Sequence, residues 1–267
     1  MDKETPTSVT LSDFTSKKRR LTAGQPLLVL AIYSWSLPII LFVVFLIGFL
    51  IGYFLRPVTH STQAARPTSA ANQATAGSSE QSRQQIMALI AAQTSNYIGN
   101  ERAPVRMYEF SDFRCPYCAK YNLETGKKIF ANYINTGKVY LGFIHLAILG
   151  EDSVRAALAS ECAAEQQKFW EYHELLFAQR QKSNTPDYSS ENLKALARQL
   201  GLDLRSFSEC LDSGRHTSTV LQQTQFARQI GLSSTPSFII NGKAIIGAQP
   251  YEVFESIIEA ALEESAQ

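Results

Sequence analysis

Val105-Arg106-Met107-Tyr108-Glu109-Phe110-Ser111-Asp112-Phe113-Arg114-Cys115-Pro116-Tyr117-Cys118 is the stretch on which the fold turns. Residues 105–113 are aromatic-rich, apolar and of strand length, and a helical pattern follows over 117–133. A Cys-x-x-Cys between a strand and the start of a helix reads as a redox pair. Helical spacing of three puts both sulfurs on one side of the first turn, close enough for a small-ring disulfide. The free N–H groups and dipole at the helix start stabilise a thiolate at Cys115, lowering its pKa below the roughly 8.5 of a free cysteine. Arg114, next door, is expected to add to this. Such a thiol is ionised near neutral pH and leaves readily, which disulfide exchange requires. Two blander readings stand beside this one, half of a zinc site and an inert structural disulfide within the motif. The zinc reading lacks a second close Cys or His pair, because Cys162 and Cys210 lie 48 residues apart.

Outward from this stretch, a second strand is expected at 139–146, opened by Thr136-Gly137. Amphipathic helices are expected at 153–180 and 190–200, and two more at 203–212 and 217–230. Short apolar runs at 237–240 and 244–246 flank Asn241-Gly242, a strong hairpin signal, and a helix closes the chain at 251–264. On the N-terminal side, 84–97 has helical apolar spacing through Ile86, Leu89 and Ile90. The order βαβ, then helices, then ββα, predicts an α/β domain: a small mixed sheet, helices on both faces, and a helical insert at about 151–230.

The whole-chain averages conceal further divisions. The sequence has 267 residues, a net charge of +1 and four cysteines, which point neither to a nucleic-acid arm nor to a disulfide-knit scaffold. With 45% hydrophobic residues it is not a disordered chain either. Residues 27–55 contain no Asp, Glu, Lys, Arg or His, and a helix of about 20 residues already crosses the hydrocarbon layer. Lys17, Lys18, Arg19 and Arg20 precede this run, whereas only Arg56 and Arg66 soon follow it. The positive-inside rule therefore predicts a cytoplasmic segment 1–26, a transmembrane helix 27–55 and an exported remainder. A cleaved signal peptide is the competing reading, disfavoured because its apolar core is typically only about 7 to 15 residues; a buried core helix is a third. Residues 56–83, rich in Ser, Thr, Ala and Gln, read as a flexible linker, and 84–267 as the globular domain. From residue 57 onward acidic residues outnumber basic ones by two, and no basic stripe supports nucleic-acid binding.

The segment 109–118, with Thr235-Pro236-Ser237-Phe238 far downstream, resembles the DsbA-like thiol:disulfide oxidoreductases of the thioredoxin-fold superfamily. The resemblance covers about residues 95–265, insert included. Cys-Pro-Tyr-Cys is also similar to the glutaredoxin motif, but those proteins are smaller and usually cytosolic. The fold implied is a thioredoxin fold with a helical insertion, preceded here by a single N-terminal transmembrane helix.

The resemblance implies roles for particular residues. Cys115 and Cys118 form the catalytic pair. Pro236 follows a cis bond and packs beside them, and Thr235 offers its backbone to an extended substrate, with Pro116 and Tyr117 lining the same surface. A strand-initiating trans proline is the alternative at Pro236. Recognition through backbone admits many unfolded clients. Glu109 lies in an apolar strand, so burial raises its pKa; the resemblance adds proton handling near Cys118, against a satisfied or solvated strand residue. Cys162 and Cys210 each lie on the apolar face of a helix, and an even cysteine count in an exported domain favours pairing. The family resemblance implies a structural disulfide between them, with two buried thiols or a second relay as alternatives.

His60, His145, His173 and His216 share no metal-ligand spacing and read as packing or surface residues. Neither a metal nor an organic cofactor is expected. The implied partners are exported proteins carrying thiols or disulfides, and a membrane redox partner of the DsbB or VKOR type. Pro116-Tyr117 lacks the histidine typical of the strongest oxidants in the family, so reductase or isomerase work stands as an alternative to oxidation. A tethered binding or chaperone module is the alternative from another class.

Overall fold

The structure is a computed structural model that describes residues 42, 45 and 46 and residues 70–266, with side chains described at the first three and from residue 81 on. The expected transmembrane run 27–55 lies, apart from three helical positions, outside the described residues. Among the described residues no helix is long and apolar enough to cross a membrane. Pro67–Gln267 forms one compact unit.

Helix α1 (Ala70–Gln93) starts inside the stretch read as linker, and it is followed by strand β1 (Asn96–Gly99). The expected helix 84–97 therefore ends earlier, at Gln93, and Tyr97 belongs to a strand. The reason is tertiary: Tyr97 stacks on Tyr140 at 4.6 Å between ring centroids, and β1 pairs antiparallel with β3 (Val139–His145). Gly142 permits this approach, because a Cβ there would lie 2.6 Å from Thr94 and 2.8 Å from the Tyr97 ring.

Strand β2 (Val105–Ser111) runs parallel to β3 and antiparallel to β4 (Ser237–Ile240), and β4 pairs with β5 (Lys243–Ile246). The sheet order is β1-β3-β2-β4-β5. Asn241 and Gly242 take positive φ (42° and 87°), as a two-residue hairpin turn requires. The Asn241 side chain also accepts the Arg106 N–H at 2.8 Å, which ties the turn to the start of β2.

Alternation along β2 assigns two faces. Tyr108 and Phe110 pack with Ile90 of α1 and with Ala227 of α8 (Thr217–Gln229). Val105 and Met107 pack on the other face with Tyr121, Ile129, and Phe254 of α9 (Tyr251–Ser265). Glu109 falls in that second, apolar register. The insert comprises α4 (Glu151–Ala164), α5 (Phe169–Lys182), α6 (Ser190–Gln199), α7 (Leu204–Ser213) and α8. The single helix expected at 153–180 is two, broken where Gln167 takes φ 58°. Ser189 and Asp203 cap α6 and α7 by accepting the N–H groups of Asn192 and Ser206.

The helix after the Cys-x-x-Cys is not uniform. It runs as α2 (Pro116–Tyr121), a π turn (Asn122–Gly126), α3 (Lys127–Ile129) and a second π turn (Phe130–Ile134). A periodicity of 3.6 cannot show such widened turns, so the sequence predicted a plain helix.

Candidate active site

β2 delivers the chain to the sheet edge, and Asp112 fixes the redox loop that leaves it. Its carboxylate accepts N–H groups from Arg114 (2.8 Å), Ile148 (2.8 Å) and Leu149 (3.1 Å), clamping the loop to the segment after β3. The insert holds the same loop by its carbonyls. Tyr188 donates to Phe113 O (2.9 Å) and Arg180 donates to Arg114 O (2.6 Å). Cys115 then caps α2, with Pro116 in its first turn, where a proline costs no hydrogen bond.

Cys115 and Cys118 are both free thiols, 4% and 0% exposed. Their environments differ. Hydrogen bonding from Cys118, helped by Thr235 and by the N–H groups of Cys118 and Tyr117, outweighs burial and holds the Cys115 thiol down at about 6. Burial, with the hydrogen bond and charge of Cys115, pushes the Cys118 thiol well above the ordinary value. One sulfur is thus set to be the thiolate and the other the thiol. The Arg114 guanidinium donates to Leu149 O at 2.6 Å and lies 3.9 Å from Asp152.

The structure brings Thr235 and Pro236 to this pair. The Thr235–Pro236 bond is cis, and the Cys115 thiol donates to Thr235 O at 3.3 Å, across 120 residues of sequence. Pro236 is buried, whereas Pro116 and Tyr117 are exposed, Tyr117 to 64%. The cis-proline loop thus adjoins the sulfur whose thiol is held low.

Glu109, on β2, is 2% exposed, with Oε1 lacking any hydrogen bond. Burial raises its pKa to about 7, with Ser111 opposing. It lines a cavity of about 170 Å³ together with Tyr121, Asn122, Lys127, Trp170 and His173. His173 is also 2% exposed with neither ring nitrogen bonded, and burial lowers its pKa to about 3.

Cys162 and Cys210 are bonded to each other, with S–S 1.99 Å and Cα–Cα 5.8 Å, joining α4 to α7. With His216 they form a group whose ligand atoms lie within 4.8 Å of one another, but both sulfurs are already committed to the disulfide. His145, read as packing or surface, is buried against the Phe143 ring and also pairs with the buried Glu161 at 2.8 Å, and Asn96 donates to the same carboxylate at 2.7 Å. His216 contacts Glu165 at 2.8 Å.

Sequence reasoning missed Asp112, Arg180, Tyr188 and His173. Only Asp112 had a local signal, an Asp two residues before a backbone N–H that its side chain can accept. Arg180 and Tyr188 reach the loop over 66 and 75 residues, and His173 lines a cavity that only the fold brings together.

Comparison with known proteins agrees with this geometry. The family model described as thioredoxin matches residues 91–260. A probable disulfide bond formation protein D from Bacillus cereus is 30% identical over 159 residues, spanning 58% of this chain and 73% of that protein. Disulfide bond formation protein D of Bacillus subtilis is 29% identical over 171 residues, 62% of this chain and 76% of its own. Among solved structures, oxidised BdbD from Bacillus subtilis superposes with a TM-score of 0.60 at 27% identity, covering 64% of this chain and 94% of that one. A redox-type Cys-x-x-Cys beside a cis-proline, on a fold shared with these proteins, leads to one assignment: the chain belongs to the thioredoxin family and is a DsbA-like protein thiol:disulfide oxidoreductase.

Proposed function

We propose that the domain exchanges disulfides with exported proteins outside the cytoplasm, through Cys115 as the attacked and attacking sulfur and Cys118 as its resolving partner. The observation that carries this is the asymmetry of the pair, a Cys115 thiol held at about 6 above a buried Cys118 pushed upward. In the oxidising direction a client thiolate attacks Cys115 of the Cys115–Cys118 disulfide, and Cys118 leaves and takes a proton. A second client thiolate attacks the client sulfur of the mixed disulfide; the client disulfide forms and Cys115 leaves as a stable thiolate. The client is oxidised and the enzyme reduced by the same two electrons. Thr235 and Pro236 receive the extended client beside Cys115, and Pro116 with Tyr117 provides the adjoining contact surface. Glu109 supplies or removes the Cys118 proton from below. The disulfide between Cys162 and Cys210 serves as a staple of the insert.

Residues 27–55 anchor the protein, with 1–26 in the cytoplasm and a linker within 56–83 leading to the domain at 84–267; the cations before the apolar run support this topology. Reoxidation of the pair calls for a membrane redox partner of the DsbB or VKOR type. A reductase or isomerase direction is favoured by one observation. The Cys115 thiol, at about 6, lies nearer to the thioredoxin value of about 7 than to the roughly 3.5 of a strongly oxidising DsbA. A measured potential more reducing than about −250 mV decides for that direction.

The test is Cys118→Ser expressed in cells. Client proteins should accumulate as mixed disulfides on Cys115. A binding module with an incidental Cys-x-x-Cys traps none, and that result overturns the assignment.

A further inference from the structure

Among the described residues one group of metal-ligating side chains comes together, and it lies outside the redox pair: Cys162, Cys210 and His216, whose ligand atoms are all within 4.8 Å of one another. Three separate elements build it. Cys162 is on α4, Cys210 is on α7, and their Cα atoms are 5.8 Å apart. Helix α7 ends at Gly214, which takes φ 62°, and this left-handed turn folds the chain back so that His216 opens α8 beside the sulfurs. His216 is itself held in place. Its Nε2 contacts the Glu165 carboxylate at 2.8 Å, and Arg215 meets the same oxygen at 3.1 Å.

We propose that the staple of the insert has a second form: with the Cys162–Cys210 bond reduced, the two thiolates and His216 bind one zinc ion. Two thiolates and an imidazole are a donor set that suits zinc, and three protein ligands leave a fourth position for water. Tetrahedral bonds of about 2.3 Å to sulfur and about 2.0 Å to nitrogen set ligand atoms roughly 3.5 to 3.8 Å apart, so the three groups need only small side-chain adjustments. A metal-bound histidine commonly gives its other N–H to a carboxylate, which fixes the tautomer and the ring. Glu165 on Nε2 is such a partner and leaves Nδ1 for the metal. Charge balances as well. Two thiolates offset the two charges of zinc and Arg215 offsets Glu165, so a site whose sulfurs are each 1% exposed acquires no net charge. Glu161, next to Cys162 in sequence, is left out of the donor set, because His145 and Asn96 already hold its carboxylate.

The two forms interconvert by exchange chemistry. A dithiol attacks the Cys162–Cys210 bond, is itself oxidised to a disulfide, and leaves two thiols; a newly made chain carries the same two thiols before the bond forms. Zinc displaces one proton from each sulfur, and both protons go to solvent. Oxidation by a disulfide, which is reduced to two thiols by the same two electrons, restores the Cys162–Cys210 bond and expels the ion. In either form α4 stays tied to α7.

The test uses the full-length protein in detergent, carrying Cys115→Ser and Cys118→Ser so that every thiolate signal comes from the second pair. It is reduced with the phosphine TCEP and titrated anaerobically with cobalt(II) and with zinc. One cobalt per chain should bind, with thiolate-to-cobalt charge transfer and the visible bands of a tetrahedral ion, and one equivalent of zinc should abolish both. The same protein with its disulfide intact should bind none. His216→Ala should weaken zinc by at least about tenfold and change the visible bands, and Glu165→Gln should weaken it by about tenfold. No binding to the reduced protein, equal binding by the disulfide form, or unchanged bands and zinc affinity in His216→Ala overturns the site. Should His216→Ala not fold, Glu165→Gln decides in its place, and a zinc affinity equal to that of the parent overturns the site. If reduction alone loosens the insert, zinc should restore the helical circular dichroism, and a signal that zinc leaves unchanged overturns the proposal.

Discussion

The two cysteine pairs are matched in burial and opposite in chemistry. Cys115, Cys118, Cys162 and Cys210 are 4%, 0%, 1% and 1% exposed, and all four belong to one apolar cluster. One pair is three residues apart and free; the other is 48 apart and bonded. Inaccessibility therefore does not define a structural cysteine. What differs is the polar setting. N–H groups of a helix start and the Thr235 loop converge on Cys115, whereas the Cys162–Cys210 bond is packed among the insert helices.

The largest effect that can break this contrast is on stability. Replacing both Cys162 and Cys210 by Ala reopens a 48-residue loop, which should cost roughly 4 kcal/mol in the chain-entropy picture. Denaturant unfolding measures the loss, and exchange at Cys115 should persist under conditions where the variant is folded. If exchange vanished while the fold held, the second pair would be part of the chemistry and the contrast would be wrong.

Glu109→Gln comes next. A carboxyl whose pKa rises from 4.5 to about 7 on folding binds its proton more tightly in the native state. Its contribution is full below pH 4.5 and is lost as pH rises through 7. The reduced variant should therefore gain roughly 3 kcal/mol over wild type at pH 8 and almost nothing at pH 4. A difference independent of pH would mean that the carboxyl is not held in an apolar site.

The smallest effect concerns how the insert grips the redox loop. Tyr188→Phe removes the hydroxyl that donates to Phe113 O, and Leu176 O lies within 3.1 Å of the same group. The cost should be about 1 kcal/mol, with faster amide hydrogen exchange just before Cys115. Unchanged exchange there would show that Asp112 and Arg180 hold the loop without Tyr188.

Much of this was legible in sequence because its signals are local. Asn241-Gly242 marks a hairpin whatever surrounds it, and a Cys-x-x-Cys at a strand–helix junction carries its own chemistry. The pattern also placed Glu109 in an apolar strand, where the structure finds it buried. Illegible were features decided by distant partners. Tyr97 sits in a helical pattern but becomes strand because Tyr140 and Gly142 receive it. His173 resembles any histidine in an aromatic helix, and only the fold sets it on the wall of a cavity that Glu109 also lines.

The widened turns after the redox helix have a consequence of their own. An α-helix advances about 100° per residue, so positions four apart drift around the axis by about 40° each time. Asn122, Gly126, Phe130 and Ile134, spaced by four, nevertheless all line one cavity. The two π turns wind more loosely than the α turns between them, and this cancels the drift and keeps the four residues in a row. The helix thus meshes with the sheet like a gear cut to a different pitch. A π turn takes up one extra residue in its wider ring, so removing a single residue from it would restore the ordinary pitch, leave the later side chains near their present angles, and take one member out of the cavity-lining row without touching either cysteine.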